Sequence, residues 1–201
     1  MTWPTRRVFV TGASGQLGPA LIEALLARGA DVTVLEHVRI GLTPARPRDP
    51  RIRYVAGFVE ITAGLVEALA GVRIDTVLHL AAQVAPAAPR VFWESNIAGT
   101  WSLLEACRAV PSVQRIVVVS SSVAGTRLDP YAVSKACAEQ IACAYRALGV
   151  PVAVVRLPVI AGTGRAGERM PGRLCLSPER AVAMILDAAD AIEAPAPEPA
   201  A

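Results

Sequence analysis

Short apolar runs rich in β-branched residues alternate along this chain with stretches where apolar residues recur every three or four positions. Val8-Phe9-Val10 is the first run, and after a glycine-rich stretch Leu17, Leu21, Ile22, Leu25 and Leu26 share one helical face that Arg28-Gly29 ends. DVTVLE (31–36) predicts a second strand and Arg53 to Val55 a short third. Ile61, Leu65, Val66 and Leu69 mark a helix with Gly71 after it. Ile74 to Leu80 is a fourth strand, nearly all apolar, as strands covered on both faces tend to be. Val91 to Ala109 predicts a long helix, weakened at Gly99-Thr100 and stopped by Pro111. Arg115 to Val119 is a fifth strand, Tyr131 to Leu148 a helix that Gly149 ends, and Val152 to Leu157 a sixth strand. Six strands alternating with helices predict an α/β fold, a doubly wound parallel sheet with right-handed crossovers. Ser177 as N-cap and Pro178 at the first helical position open a last helix, to about Ile192.

At 201 residues the chain suits one well-filled domain, and with three each of Phe, Tyr and Trp its core must be built from Ala, Val, Leu and Ile. No apolar run approaches the ~20 residues of a membrane span, and MTWPTRR lacks a secretory apolar region, so a cytoplasmic protein is expected. A net charge of +3 is too mild to argue for nucleic acid. Five arginines between Arg39 and Arg53 could attract a phosphate, although a solvated loop is the plainer reading. Cys107, Cys137, Cys143 and Cys175 form no CxxC pair, so reduced, mostly buried thiols are expected, with no metal.

Two stretches carry chemistry. In TGASGQLG, Gly12, Gly15 and Gly18 turn a strand straight into a helix and leave N–H groups facing outward at its positive end, which suits a pyrophosphate. Glu36, at the end of the next strand, is placed to accept from a ribose. In YAVSK, Tyr131 and Lys135 are four apart and share a helix face. Lys135 is the only lysine beside 19 arginines, which a need for a compact ammonium would explain. A nearby ammonium lowers the cost of a phenolate, so Tyr131 could exchange a proton with an alcohol or carbonyl while Lys135 holds ribose hydroxyls. Ser120-Ser121-Ser122 offers a hydroxyl to orient the substrate oxygen, or forms a mere turn.

With these motifs the chain resembles the short-chain dehydrogenases/reductases, in particular the extended branch of NAD-dependent epimerases and dehydratases. TGASGQLG, LHLAAQ (78–83), NIAGTWSLLEAC (96–107), VVVSSS, YAVSK and RLPVIAG carry the resemblance, which covers most of Arg7 to Pro158. It implies a Rossmann fold with a minimal C-terminal substrate-binding extension. Residues 1–160 would form the NAD(P)-binding domain, 161–194 a truncated substrate-side loop and helix packed on it, and 195–201 a disordered tail. Gly12, Gly15, Gln16, Leu17 and Gly18 would surround the pyrophosphate, and Glu36 would take the adenosine ribose. Phe58, Val59, Leu80, Ala81, Ala82 and Gln83 would line the cofactor cleft, and Pro158 and Val159 would abut the nicotinamide.

By the same resemblance Ser122, Tyr131 and Lys135 would be the catalytic trio, Ser122 being chosen by its spacing to Gly125, and Asn96 would support a proton path through water. Phe58 stands where the family commonly has an acid and could only pack or stack. Glu36 repels a 2′-phosphate, so NAD is expected over NADP, although Arg39 is near enough to weaken that preference. Relatives that act on nucleotide sugars have a longer C-terminal region, so a small polar substrate such as a sugar or hydroxy acid is expected. An epimerase or dehydratase that uses NAD transiently, or a dinucleotide-binding protein without turnover, are the alternatives. The resemblance also implies a homodimer through helices 91–109 and 131–148.

Overall fold

A computed structural model describes residues 3, 5–37, 49–84, 87–161 and 175–193. Arg39, Arg46 and Arg48, the glycine-rich stretch 162–174 and the tail from 194 lie outside the described residues.

Six strands form one parallel sheet: β1 (Arg7–Thr11), β2 (Asp31–His37), β3 (Ile52–Gly57), β4 (Thr76–His79), β5 (Arg115–Ser121) and β6 (Val152–Leu157). Their order is β3-β2-β1-β4-β5-β6, the doubly wound arrangement, with the reversal between β1 and β4. Helices cover both faces. On one, α1 (Gly18–Ala27) and α6 (Pro178–Asp190) pack Leu21, Leu25, Val182 and Ile185 onto Val8, Val10, Val32, Leu78 and Val155. On the other, α2 (Thr62–Gly71), α4 (Gly99–Ala109) and α5 (Pro130–Ala147) pack Leu65, Leu69, Leu103, Leu104 and Tyr145 onto Phe9, Val77, Ile116 and Val118. Helix α6 thus covers the same sheet face as α1 and shares its core.

The long helix expected over 91–109 is interrupted. A short α3 (Pro89–Phe92) runs into a π-helical turn, Trp93–Ala98, before α4 begins. Gly99 opens α4 because Val59 lies against it: a Cβ there would stand 2.7 Å from Val59 Cγ1. Strand β4 is shorter than the apolar run 74–80 suggested, since Ile74 closes the cap of α2 through its amide on the Leu69 carbonyl at 2.9 Å. Beyond β6, Val159–Ile160 (β7) pairs in parallel with Cys175–Leu176 (β8), which no periodicity announced. Only Cys107 of the four free thiols is buried; Cys137 and Cys175 are half-buried and Cys143 is exposed, which corrects the expectation of mostly buried thiols.

Trp3 fastens the chain's start to α6. Its indole donates to Asp190 Oδ1 at 3.0 Å, Arg6 and Arg28 reach the same carboxylate at 2.8 and 3.3 Å, and both guanidiniums lie over the indole ring.

Candidate functional site

At the carboxyl edge of the sheet, beside the β1/β4 reversal, the chain leaves β1 at Thr11 and turns through Gly12 to Gly18. Gly12 has φ +74°, and a Cβ there would stand 2.5 Å from the Ala81 amide nitrogen, so the turn lies directly on the end of β4. A Cβ on Gly18 would stand 1.8 Å from the Ala13 carbonyl oxygen. Gly15 differs: a Cβ would meet only the Gly12 carbonyl oxygen, at 3.1 Å, with nothing else within 4 Å. That open side leaves room for a phosphate chain. Helix α1 has no side-chain N-cap at Leu17, which leaves donors of its first turn for such a ligand. Not every amide faces outward, however: Gly15 and Gly18 donate within the turn, to Gly12 O at 3.0 Å and Gly15 O at 3.3 Å. The Gln16 side chain reaches the Ile160 carbonyl at 3.2 Å and joins the turn to β7, next to Val159 and Pro158.

Glu36 is half-buried at the end of β2. Phe58 packs edge-on against His37, with centroids 4.9 Å apart, and Val59 is buried against Gly99. Leu80, Ala81, Ala82 and Gln83 follow β4 and are half-buried along the same edge.

Helix α5 brings in the tyrosine and lysine. Asp129 caps it by accepting from the Ala132 amide at 3.0 Å, and Pro130 follows at its first turn. The Tyr131 side chain lies near Ser121, the last residue of β5, and the following Ser122 is exposed at the same strand end. Burial raises the Tyr131 phenol above its ordinary value, the nearby Ser121 side chain works the other way, and the Asp129 carboxylate raises it further.

Lys135 is buried, and its ammonium donates to the Val119 carbonyl at 2.6 Å. Burial pulls the Lys135 amine down to about 8, and Glu139, one turn along, works the other way. Lys135 is not among the groups that shift the Tyr131 phenol, its ammonium being turned to the backbone. Burial opposes the charge on Glu139, but the two-pronged bond from Arg156, 2.8 Å from Nε and 2.5 Å from Nη2, holds the carboxyl below its ordinary value.

Asn96, in the π-helical turn, is buried and fully engaged. Its Oδ1 accepts from the Gln83 amide at 2.7 Å, and its Nδ2 donates to the Gln83 carbonyl at 3.1 Å and to Ser134 Oγ at 2.8 Å. Ser134 in turn donates to the Tyr131 carbonyl at 2.8 Å.

A second chain, which sequence motifs did not announce, begins beside the glycine turn. The Ala81 amide donates to Thr11 Oγ1 at 3.2 Å, Thr11 meets His79 Nδ1 at 2.7 Å, His79 Nε2 meets Thr100 Oγ1 at 3.1 Å, and Thr100 donates to the Asn96 carbonyl at 2.7 Å. Thr100 spends its proton on Asn96, so His79 must donate from Nε2 and accept from Thr11 at Nδ1. Burial, aided by the charge of Lys135, drops the His79 imidazole to about 3, and it is neutral at pH 7. The two chains tie the phosphate turn, the π-helical turn and the start of α5 into one hydrogen-bonded unit.

The model of the NAD dependent epimerase/dehydratase family matches residues 8–183. UDP-glucose 4-epimerase of Lactobacillus helveticus is 26% identical over 180 residues, covering 81% of this chain and 54% of the relative. The chain spans about a third to a half of the length of the curated relatives it matches. Among solved structures, UDP-glucuronic acid 4-epimerase of Bacillus cereus in complex with NAD superposes with TM-score 0.65 at 26% identity, over 78% of this chain and 58% of that one. The Bordetella bronchiseptica enzyme WbmH in complex with NAD+ superposes with TM-score 0.75 at 20% identity, over 94% and 73%. No described helix is long and apolar enough to cross a membrane. From the glycine turn on β1 to helix α6, the chain belongs to the NAD dependent epimerase/dehydratase family.

Proposed function

We propose that the protein is an NAD-dependent oxidoreductase acting at a secondary alcohol or ketone of a small polar substrate, such as a sugar or hydroxy acid, with Ser122, Tyr131 and Lys135 at the reacting centre. The observation that carries this reading is the placing of Tyr131 and the buried Lys135, one helical turn apart, against the serine-bearing end of β5, on the sheet edge that bears the glycine turn.

Bound NAD would supply the hydride acceptor or donor. Gly12, Gly15, Gln16, Leu17 and Gly18 would hold the pyrophosphate, and the Glu36 carboxylate would accept from the adenosine ribose and disfavour a 2′-phosphate. Phe58, Val59, Leu80, Ala81, Ala82 and Gln83 would border the adenine half and the cleft, and Pro158 and Val159 the reacting half. Tyr131 would exchange a proton with the substrate oxygen while Ser122 donates to or accepts from that oxygen. A positive charge brought to the phenol would favour its proton transfer. Lys135, held on a single backbone carbonyl, is the group able to supply one. Asn96 would position Gln83 and α5 through its three hydrogen bonds.

The test is a panel of sugars, sugar acids and hydroxy acids assayed for NADH formation, with Tyr131→Phe beside the parent. Turnover by the parent, with at least about a hundredfold loss in the variant at unchanged NAD affinity, supports the reading. Equal turnover in the two would overturn it. The similarity to UDP-sugar epimerases favours a second reading, an epimerase or dehydratase that returns the hydride; retained NAD with sugar interconversion and no net NADH would select it.

We further place the protein in the cytoplasm, where free thiols suit a reducing environment, and expect a homodimer through the helices spanning 91–109 and 131–148. Trp93, Trp101 and Val133 support the dimer: they lie on these helices with 61%, 54% and 42% of their surface exposed. A monomer in sedimentation at micromolar concentration would overturn it.

A further inference from the structure

The amino-terminal edge of the sheet, where β1, β4 and β5 begin, carries a cavity of about 570 Å³ whose lining includes Arg6, Arg7, Arg73, Asp75 and Arg115. We propose that this cavity is a second binding site, for a doubly charged phosphate group, separate from the dinucleotide cleft. Strand β1 is five residues long, and at ~3.3 Å per residue the two sites stand on the order of 13 Å apart along it.

Charge and unpaired donors mark the site. Arg7 and Arg115 flank the start of β4 from its two neighbouring strands. Their Nε atoms are buried and have no hydrogen-bond partner. Arg7, Arg73 and Arg115 form no ion pair among the described residues, whereas Arg6 is spent on Asp190.

The single carboxylate of the group, Asp75, is already engaged. Its Oδ2 accepts from the Arg7 amide at 2.7 Å and its Oδ1 from Thr76 Oγ1 at 2.7 Å. Its carbonyl takes the Gln114 and Arg115 amides at 2.8 and 3.1 Å. Three unpaired guanidiniums against one carboxylate leave a surplus of two positive charges, which a phosphate dianion would balance.

The plainer role for such arginines is to face the carbonyl ends of helices. That role would put their donors on those carbonyls, yet Nε of Arg7 and of Arg115 meets none. A charged N–H buried without a partner is expensive, and short, charge-assisted bonds from the outer N–H groups of the same guanidiniums to a phosphate would offset that cost.

The experiment follows the arginine Nε–Hε cross-peaks of ¹⁵N-labelled full-length protein while inorganic phosphate, and separately glycerol 3-phosphate, is added at constant ionic strength with chloride. Assignment comes from Arg7→Gln and Arg115→Gln. Saturable shifts of both cross-peaks with a millimolar Kd are expected, and exposed Arg73→Asn, which keeps the φ of +53° accessible, should weaken binding roughly tenfold. The tighter of the two ligands names the source, free phosphate or a phosphate ester. Cross-peaks that do not move, shifts that rise without saturating, or equal affinity in Arg73→Asn would each overturn the proposal. None of these outcomes depends on NAD binding or turnover.

Discussion

Burying a neutral histidine between two threonines has a measurable consequence for stability against acid. His79 lies between Thr11 and Thr100 and its imidazole falls from the ordinary 6.5 to about 3. Because the folded value is depressed, the unfolded chain takes up a proton between pH 6.5 and about 3 that the folded chain refuses. Stability contributed by the neutral ring is whole above pH 6.5 and is lost as pH falls, at up to about 1.4 kcal/mol per pH unit. By pH 4.5 the loss from this residue alone should reach about 3 kcal/mol, a large part of the stability of an ordinary domain.

His79→Gln keeps a donor for Thr100 but cannot titrate. At pH 7.5 it should be less stable than the parent by about 1 kcal/mol, for the hydrogen bond to Thr11 that a shorter fit weakens. Between pH 7.5 and 4.5 it should lose about 3 kcal/mol less than the parent, so the two stability curves cross. Urea unfolding followed by circular dichroism at each pH measures the difference, and the carboxylates common to both proteins cancel. Parallel curves would mean that the folded His79 ring takes up its proton as readily as the unfolded one. So would an NMR titration in which the His79 ring, one of only two histidines in the chain, protonates near 6.5.

Further outcomes follow from the site. Ser122→Ala should lower kcat by about a hundredfold, whereas Ser121→Ala should stay within about tenfold; the reverse ranking in steady-state assays would move the role to Ser121, which lies near Tyr131. Gly18→Ala drives a Cβ onto the Ala13 carbonyl and should cost 3 kcal/mol or more, seen as a lower Tm or failure to fold. Glu36→Gln should weaken NAD binding and narrow the preference for NAD over NADP by about tenfold in calorimetric titrations.

How far the sequence carries depends on whether a feature is local. The strand-turn-helix at Val8 to Leu26, the six strands and the caps at Ser177 and Gly149 are written in neighbouring residues, through periodicity and through backbone freedom at glycine. The π-helical turn is not, because Asn96 is held there by Gln83 and Ser134, 13 and 38 residues away. Spacing from Gly125 points to Ser122 within the serine run, while which serine faces Tyr131 depends on where β5 ends, at Ser121. Lys135 was legible as a singular residue, while its present partner, the Val119 carbonyl, depends on how α5 crosses β5. The arginines at the amino edge come from β1, the end of α2 and β5, and no run of sequence brings them together.

A crystal structure of the protein with NAD tests the central claim most directly. Pyrophosphate is expected over Gly15, the nicotinamide ring beside the Tyr131 hydroxyl, and the Lys135 ammonium moved from the Val119 carbonyl to the ribose hydroxyls. A ring bound away from Tyr131, or a glycine turn without phosphate against it, would contradict it.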